Sequence, residues 1–155
     1  MSAAWMEVAL AAATLRKTQA ASAQDATAGQ QVFRKCMPCH RIGPGTKNLV
    51  GPELNGLDGR HTGSVAGYNY SAANKNSGVT WNQESFEKYI KDPRSVIPGT
   101  KMFLAGIKNE KDIRDLWAYL KQFGPDGKKC RKPAGRWWHF ASVDLGQCPP
   151  SQWHA

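Results

Sequence analysis

The chain has 155 residues, enough for one domain around a single hydrophobic core. Its composition, 41% apolar and 21% charged, is that of a globular protein and excludes a disordered one. Its 21 basic and 12 acidic residues leave a net charge of +9, and no apolar run reaches the roughly 18 residues that span a bilayer, so no integral membrane segment is expected.

Residues 1–23 are rich in alanine and end in Ala21-Ser22-Ala23, an A-x-A-like signal peptidase site. They read as a signal peptide whose removal leaves Gln24 as the first residue. Arg16 and Lys17 follow the apolar stretch instead of preceding it, and Glu7 interrupts it. An uncleaved N-terminal extension therefore stays open as the alternative.

Residues 24–128 read as the folded domain. Asp25 caps a helix expected over 26–37, with Gly29, Val32 and Phe33 on one face. Residues 41–80 hold many Gly, Pro and Asn and read as ordered loops, with no alternating strand pattern. A second helix is expected over 82–91, with Asn82 as N-cap and Phe86, Tyr89 and Ile90 inward. Pro93 starts a further short turn. The longest helix is expected over 109–123. Asn109 caps it, Glu110 and Asp112 suit its first turn, and Gly124-Pro125 stops it. Its apolar face is Ile113, Leu116, Trp117 and Leu120. Residues 129–155 hold Cys130, Cys148 and three tryptophans without a clear period, and read as a C-terminal extension.

Cys36-Met37-Pro38-Cys39-His40 is a C-x-x-C-H sequence, the signature of c-type haem attachment. Two thiols on one turn can each add to a haem vinyl group, and His40 then supplies the proximal imidazole. A redox dithiol would need a βαβ context, which is missing, and a zinc site would need further ligands beyond His61. Met1 and Met6 lie in the leader and Met37 sits inside the attachment loop, which leaves Met102 as the second axial ligand. It follows a Pro98-Gly99 turn, which presents its thioether from a rigid loop. A thioether favours ferrous iron. With both axial positions filled, electron transfer is favoured over oxygen or peroxide chemistry.

These residues resemble class I cytochrome c, in particular the mitochondrial-type cytochrome and the alphaproteobacterial cytochrome c2. The resemblance runs from Gly29 to Lys121 without a gap between His40 and the Met102 loop. It includes Gly51-Pro52-Glu53-Leu54-Asn55-Gly56-Leu57, Gly59-Arg60, the stretch Gly67 to Lys75, Trp81 and Pro98-Gly99-Thr100-Lys101-Met102. It implies an all-α fold of short helices and ordered loops around one covalently attached haem c. It further implies that the Pro52 carbonyl accepts the other ring N–H of His40. Arg60, Tyr70 and Trp81 would bond the haem propionates, and Asn74, Tyr89 and Thr100 would form the network beside Met102. Gly29 and Phe33 would pack against Leu116 and Tyr119 where the first and last helices cross. One departure concerns Phe103-Leu104: the family places an aromatic two residues past the Met, so Leu104 covers the haem edge differently.

The function implied is that of a soluble monomeric one-electron carrier and not of an enzyme. Lys35, Lys101 and Lys108 resemble the lysines that ring the haem edge and steer it to acidic patches on partners. The partners implied are the cytochrome bc1 complex as donor and a terminal oxidase (cytochrome c oxidase) or photosynthetic reaction centre as acceptor, in the bacterial periplasm. A dedicated donor dehydrogenase, or an open-iron peroxidase or gas-binding role, are the rival readings. No nucleic-acid motif is present. In an oxidising compartment Cys130 and Cys148 can pair, closing a loop worth up to about 3 kcal/mol; two free thiols are the alternative.

Overall fold

The computed structural model describes residues 24–130. The expected leader, and the extension beyond Cys130 with Cys148, lie outside the described residues. Five helices follow one another: α1 (Ala26–Phe33), α2 (Ala72–Lys75), α3 (Gln83–Lys91), α4 (Pro93–Val96) and α5 (Glu110–Leu120). Among the described residues there is no strand, only isolated bridges between His61 and Thr80 and between Phe123 and Lys129. The described residues are thus all-α, short helices joined by ordered loops, as the resemblance implies.

Each longer helix begins at a side chain that satisfies its first free N–H groups. Asp25 accepts from the N–H groups of Thr27 and Ala28. Asn82 accepts from Ser85 N–H while the Ser85 hydroxyl receives the Asn82 N–H, a reciprocal capping box. Asn109 accepts from Lys111 and Asp112 N–H.

Two helices are shorter than their periodicity predicts. α1 ends at Phe33 and not at residue 37, because the chain tightens into turns in which Lys35 N–H bonds Val32 O (3.0 Å) and Cys36 N–H bonds Phe33 O (2.8 Å). Pro38, which has no N–H, cannot carry the helix on. α5 ends at Leu120 and not at 123; Gln122 and Phe123 N–H reach back three residues, at 3.3 and 3.2 Å, in a tightened last turn. α2 was expected as loop. It is a single turn started by the Ser71 hydroxyl, which accepts from Asn74 N–H at 3.1 Å.

The most extensive contact between helices is that of α1 with α5. A Cβ on Gly29 would overlap the Asp115 carbonyl and lie 2.9 Å from Tyr119 Cβ. Gly29 thus meets Tyr119, as expected, and also the Asp115 backbone. Phe33 stacks on Tyr119, ring centroids 5.4 Å apart. The Asp115 carboxylate is buried at this crossing. It accepts the Asp25 N–H at 2.9 Å, at the start of α1, and Lys111 Nζ at 2.5 Å. Burial opposes its charge, but these two donors hold its carboxyl below the usual range.

Ile113, Leu116, Trp117 and Leu120 of α5 are buried, as are Phe86, Tyr89 and Ile90 of α3. Phe86 and Trp117 join the two helices at 5.1 Å. The chain past α5 is tied back by Cys130 N–H to Gln122 O at 2.6 Å.

Gly29→Ala is expected to cost roughly 1–3 kcal/mol, because the methyl must push two backbones apart. Thermal unfolding would read it as a fall in Tm of about 4–8 °C per kcal/mol. An unchanged Tm would mean that the crossing is looser than described.

Candidate functional site

The turn after α1 carries Cys36, Cys39 and His40 to one wall of an apolar cavity. The His40 N–H bonds Cys36 O at 2.9 Å and Gly51 N–H bonds Cys39 O at 2.8 Å, which locks the turn to the loop that follows. Both thiols are free. Burial, and the neighbouring Cys39, push the Cys36 thiol up to about 11, so it stays protonated.

The His40 ring is oriented from two sides. Its Nδ1–H donates to the Pro52 carbonyl at 2.7 Å. With that proton on Nδ1, the lone pair is on Nε2. Behind the ring lies Gly51, where a Cβ would come within 2.7 Å of Nδ1 and 2.8 Å of Nε2. Burial holds the imidazole below its ordinary pKa, as does the Arg60 charge, against the Pro52 bond. Neutral imidazole is the form that ligates a metal.

Met102 lines the same cavity and packs against the core. Its N–H donates to Thr100 Oγ1 at 3.3 Å, and Thr100 Oγ1 shares a 2.9 Å hydrogen bond with Tyr89 Oη. Burial raises the Tyr89 phenol, countered by hydrogen bonds to Thr100 and Asn74. Asn74 is fixed in turn by the Ser71 hydroxyl at 2.9 Å.

Arg60, Tyr70 and Trp81 form a further part of the wall. Arg60 Nη1 bonds Asn55 O at 2.6 Å and Glu53 Oε1 at 3.2 Å, and Nη2 bonds Glu53 O at 3.1 Å. Burial lowers the Arg60 pKa against the Glu53 charge. Trp81 meets Tyr89 edge-on at 4.9 Å. The cavity is closed by Leu54, Leu57, Phe86, Ile90, Leu116 and Leu120.

Of the three lysines, Lys101 alone lines the cavity. Its Nζ donates to Asn69 O at 3.0 Å. Lys108 Nζ donates to Lys91 O at 2.7 Å, and Lys35 lies 3.9 Å from the Asp112 carboxylate. Leu104 is half-buried against the core. Phe103 is 83% exposed, with the Arg94 guanidinium 5.2 Å from its ring centre.

Two thiols on one turn, an oriented imidazole and a thioether facing a common apolar space are the donor set of a c-type cytochrome. The cytochrome c family model matches residues 26–124. A cytochrome c2 of Rhodoplanes tepidamans is 65% identical over 106 residues, covering 68% of this chain and 99% of its own. Cytochrome c-550 of Nitrobacter winogradskyi is 58% identical over 104 residues, covering 67% of this chain and 95% of its own. The solved cytochrome c2 from Rhodospirillum centenum superimposes with a TM-score of 0.62 at 39% identity, covering 65% of this chain and 99% of that one. The chain belongs to the cytochrome c family, and within it is similar to the cytochromes c2 of alphaproteobacteria. It is an electron carrier and not an enzyme, and its cofactor is a covalently attached haem c. The residues fit that group: free thiols for the covalent bonds, a neutral imidazole with Nε2 available, and a glycine cradle behind the ring.

Four contributors had no separate reading in the sequence. Gly51 seats the imidazole, Ser71 fixes Asn74, Glu53 holds Arg60, and Tyr68 anchors the rim through its hydroxyl to Val50 O at 2.6 Å. All four lie in the stretches that carry the resemblance, Gly51 and Glu53 on either side of Pro52, Tyr68 and Ser71 between Gly67 and Lys75.

Gly51→Ala is expected to displace the His40 ring and break its bond to Pro52. The holoprotein should lose roughly 1–3 kcal/mol against denaturant and show an altered oxidised spectrum. Wild-type values for both would mean that the ring does not rest on Gly51.

Proposed function

We propose that this chain is a soluble, monomeric, periplasmic one-electron carrier that takes electrons from the cytochrome bc1 complex. It delivers them to a terminal oxidase or a photosynthetic reaction centre. In this reading Cys36 and Cys39 form the thioether bonds, and His40 and Met102 are the axial ligands. Arg60, Tyr70 and Trp81 hold the propionates, with Pro52, Asn74, Tyr89 and Thr100 behind the ligands. Residues 1–23 are an export leader, 24–128 the cytochrome domain, and 129–155 an extension. In this reading Cys130 and Cys148 pair within the extension, as an oxidising compartment favours.

The observation that carries the proposal is His40 Nδ1–H bonded to Pro52 while Met102 lines the same apolar cavity. When bound, haem supplies an iron that changes between ferric and ferrous. The residues around it keep one geometry in both states. His40 is fixed by Pro52 and Gly51, and the Met102 backbone by Thr100 and Tyr89. Leu57, Phe86, Leu116 and Leu120 keep water out. Lys35, Lys101 and Lys108 are exposed and give the docking face its positive charge.

The optical spectrum of the holoprotein tests the ligand set. The expected result is low-spin in both oxidation states, with the weak Met–iron band when oxidised. Met102→Ala should abolish that band, bind carbon monoxide, and lower the reduction potential by more than about 59 mV, one tenfold step for a one-electron couple. A wild-type protein that itself binds carbon monoxide readily would overturn the carrier reading in favour of an open iron site.

The docking reading has a kinetic test with purified cytochrome bc1 complex. Lys35→Glu combined with Lys101→Glu should slow reduction about tenfold or more at low salt, and the gap should narrow as salt screens the charges. Equal rates for variant and wild type at low salt would remove these lysines from the docking face. No reduction of the wild type would point to another donor, such as a dedicated dehydrogenase.

A further inference from the structure

Arg60 belongs to two spaces at once. It lines the haem cavity, and it also lines a separate pocket that opens behind it. Glu53 lines that second pocket but not the first. The ion pair is therefore the partition between them, with Arg60 on the cofactor side and its counter-charge behind.

The pair is held on every side. The two side chains are 15% and 20% exposed. Glu53 Oε1 accepts Arg60 Nη1 at 3.2 Å, and Oε2 accepts the Asn55 N–H at 2.8 Å. The Glu53 N–H donates to Asn48 Oδ1 at 3.0 Å. Carbonyls of Glu53 and Asn55 take the remaining Arg60 bonds already described. Glu53 thus presents its carboxylate from a loop whose backbone is itself fixed. The Arg60 charge is felt inside the cavity, where it pulls the Tyr70 phenol down against the larger effect of burial.

We propose that Glu53 is a positioning residue that lowers the reduction potential of the haem by neutralising and holding Arg60. A bare cation on the cavity wall disfavours the ferric state, which carries one more positive charge, and so raises the potential. A carboxylate bonded to that cation holds the guanidinium in place, so that losing Glu53 frees the charge and losing Arg60 removes most of what Glu53 does. Because the pair is mostly shielded from solvent, salt screens it far less than it screens surface lysines. The proposal rests on the reading that Arg60 faces the haem.

The test is spectroelectrochemical titration of the holoprotein. Glu53→Gln keeps the shape and removes the charge. It should shift the electron-partition constant about threefold toward the reduced form, near 28 mV at 59 mV per tenfold. The shift should persist from low to high salt, and should fall below half that size when Arg60→Gln is already present. An unchanged or lowered potential overturns the proposal. So does a shift that salt abolishes, or one of the same size without Arg60, since either makes Glu53 an ordinary independent charge. If Glu53→Gln does not accumulate as holoprotein, Glu53→Asp shortens the reach and weakens the same pair; it should raise the potential by less, and no rise overturns the proposal equally. A low-spin wild-type spectrum with the Met–iron band, but no Glu53 effect, fails this proposal alone; a wild type without that band fails the ligand reading instead.

Discussion

Where α1 crosses α5, the Gly29 Cα rests against the Asp115 carbonyl with no room for a methyl group between the two backbones. The rest of the molecule is built out from that contact. α1 has eight residues and is too short to persist alone in water. It is held by Phe33 on Tyr119 and by the Asp115 carboxylate at its first turn. Its C-terminal end releases the turn with Cys36, Cys39 and His40. α5 meanwhile supplies Leu116 and Leu120 to the cavity. One crossing therefore sets both the wall that carries the imidazole and the floor opposite it.

Around the cavity, polar groups are used in pairs that hold apolar-facing ones still. Pro52 orients His40, Thr100 and Tyr89 hold the Met102 backbone, and Ser71 fixes Asn74. None of these donors is left without an acceptor, which matters because a buried unpaired polar group costs about 1–3 kcal/mol. The Arg60–Glu53 pair beside them is the only ion pair among the described residues with both side chains at or below 20% exposure.

Local features were legible in the sequence. Asp25, Asn82 and Asn109 cap helices because capping depends on residues within one turn. The inward faces of α3 and α5 follow from spacing alone. Periodicity overran the true ends of α1 and α5, since an apolar face continues after the hydrogen bonds have tightened into turns. α2 left no trace, because four residues contain no period. Glu53 and Arg60 meet through a loop conformation that no spacing rule describes. The Phe103-Leu104 departure was visible, and its outcome is that the leucine turns to the core while the aromatic ring lies outside under Arg94.

The two free thiols have a consequence for folding thermodynamics. A protein that fills its core with a dissociable group gains stability only as fast as that group is supplied, and loses it on dilution. Here the helices are short and much of the cavity wall comes from loops, so the group is in effect part of the hydrophobic core. Covalent attachment makes that part of the core a permanent piece of the chain. The stability of the mature molecule is then independent of any free cofactor pool, and dilution, which empties a reversible site, leaves it unchanged.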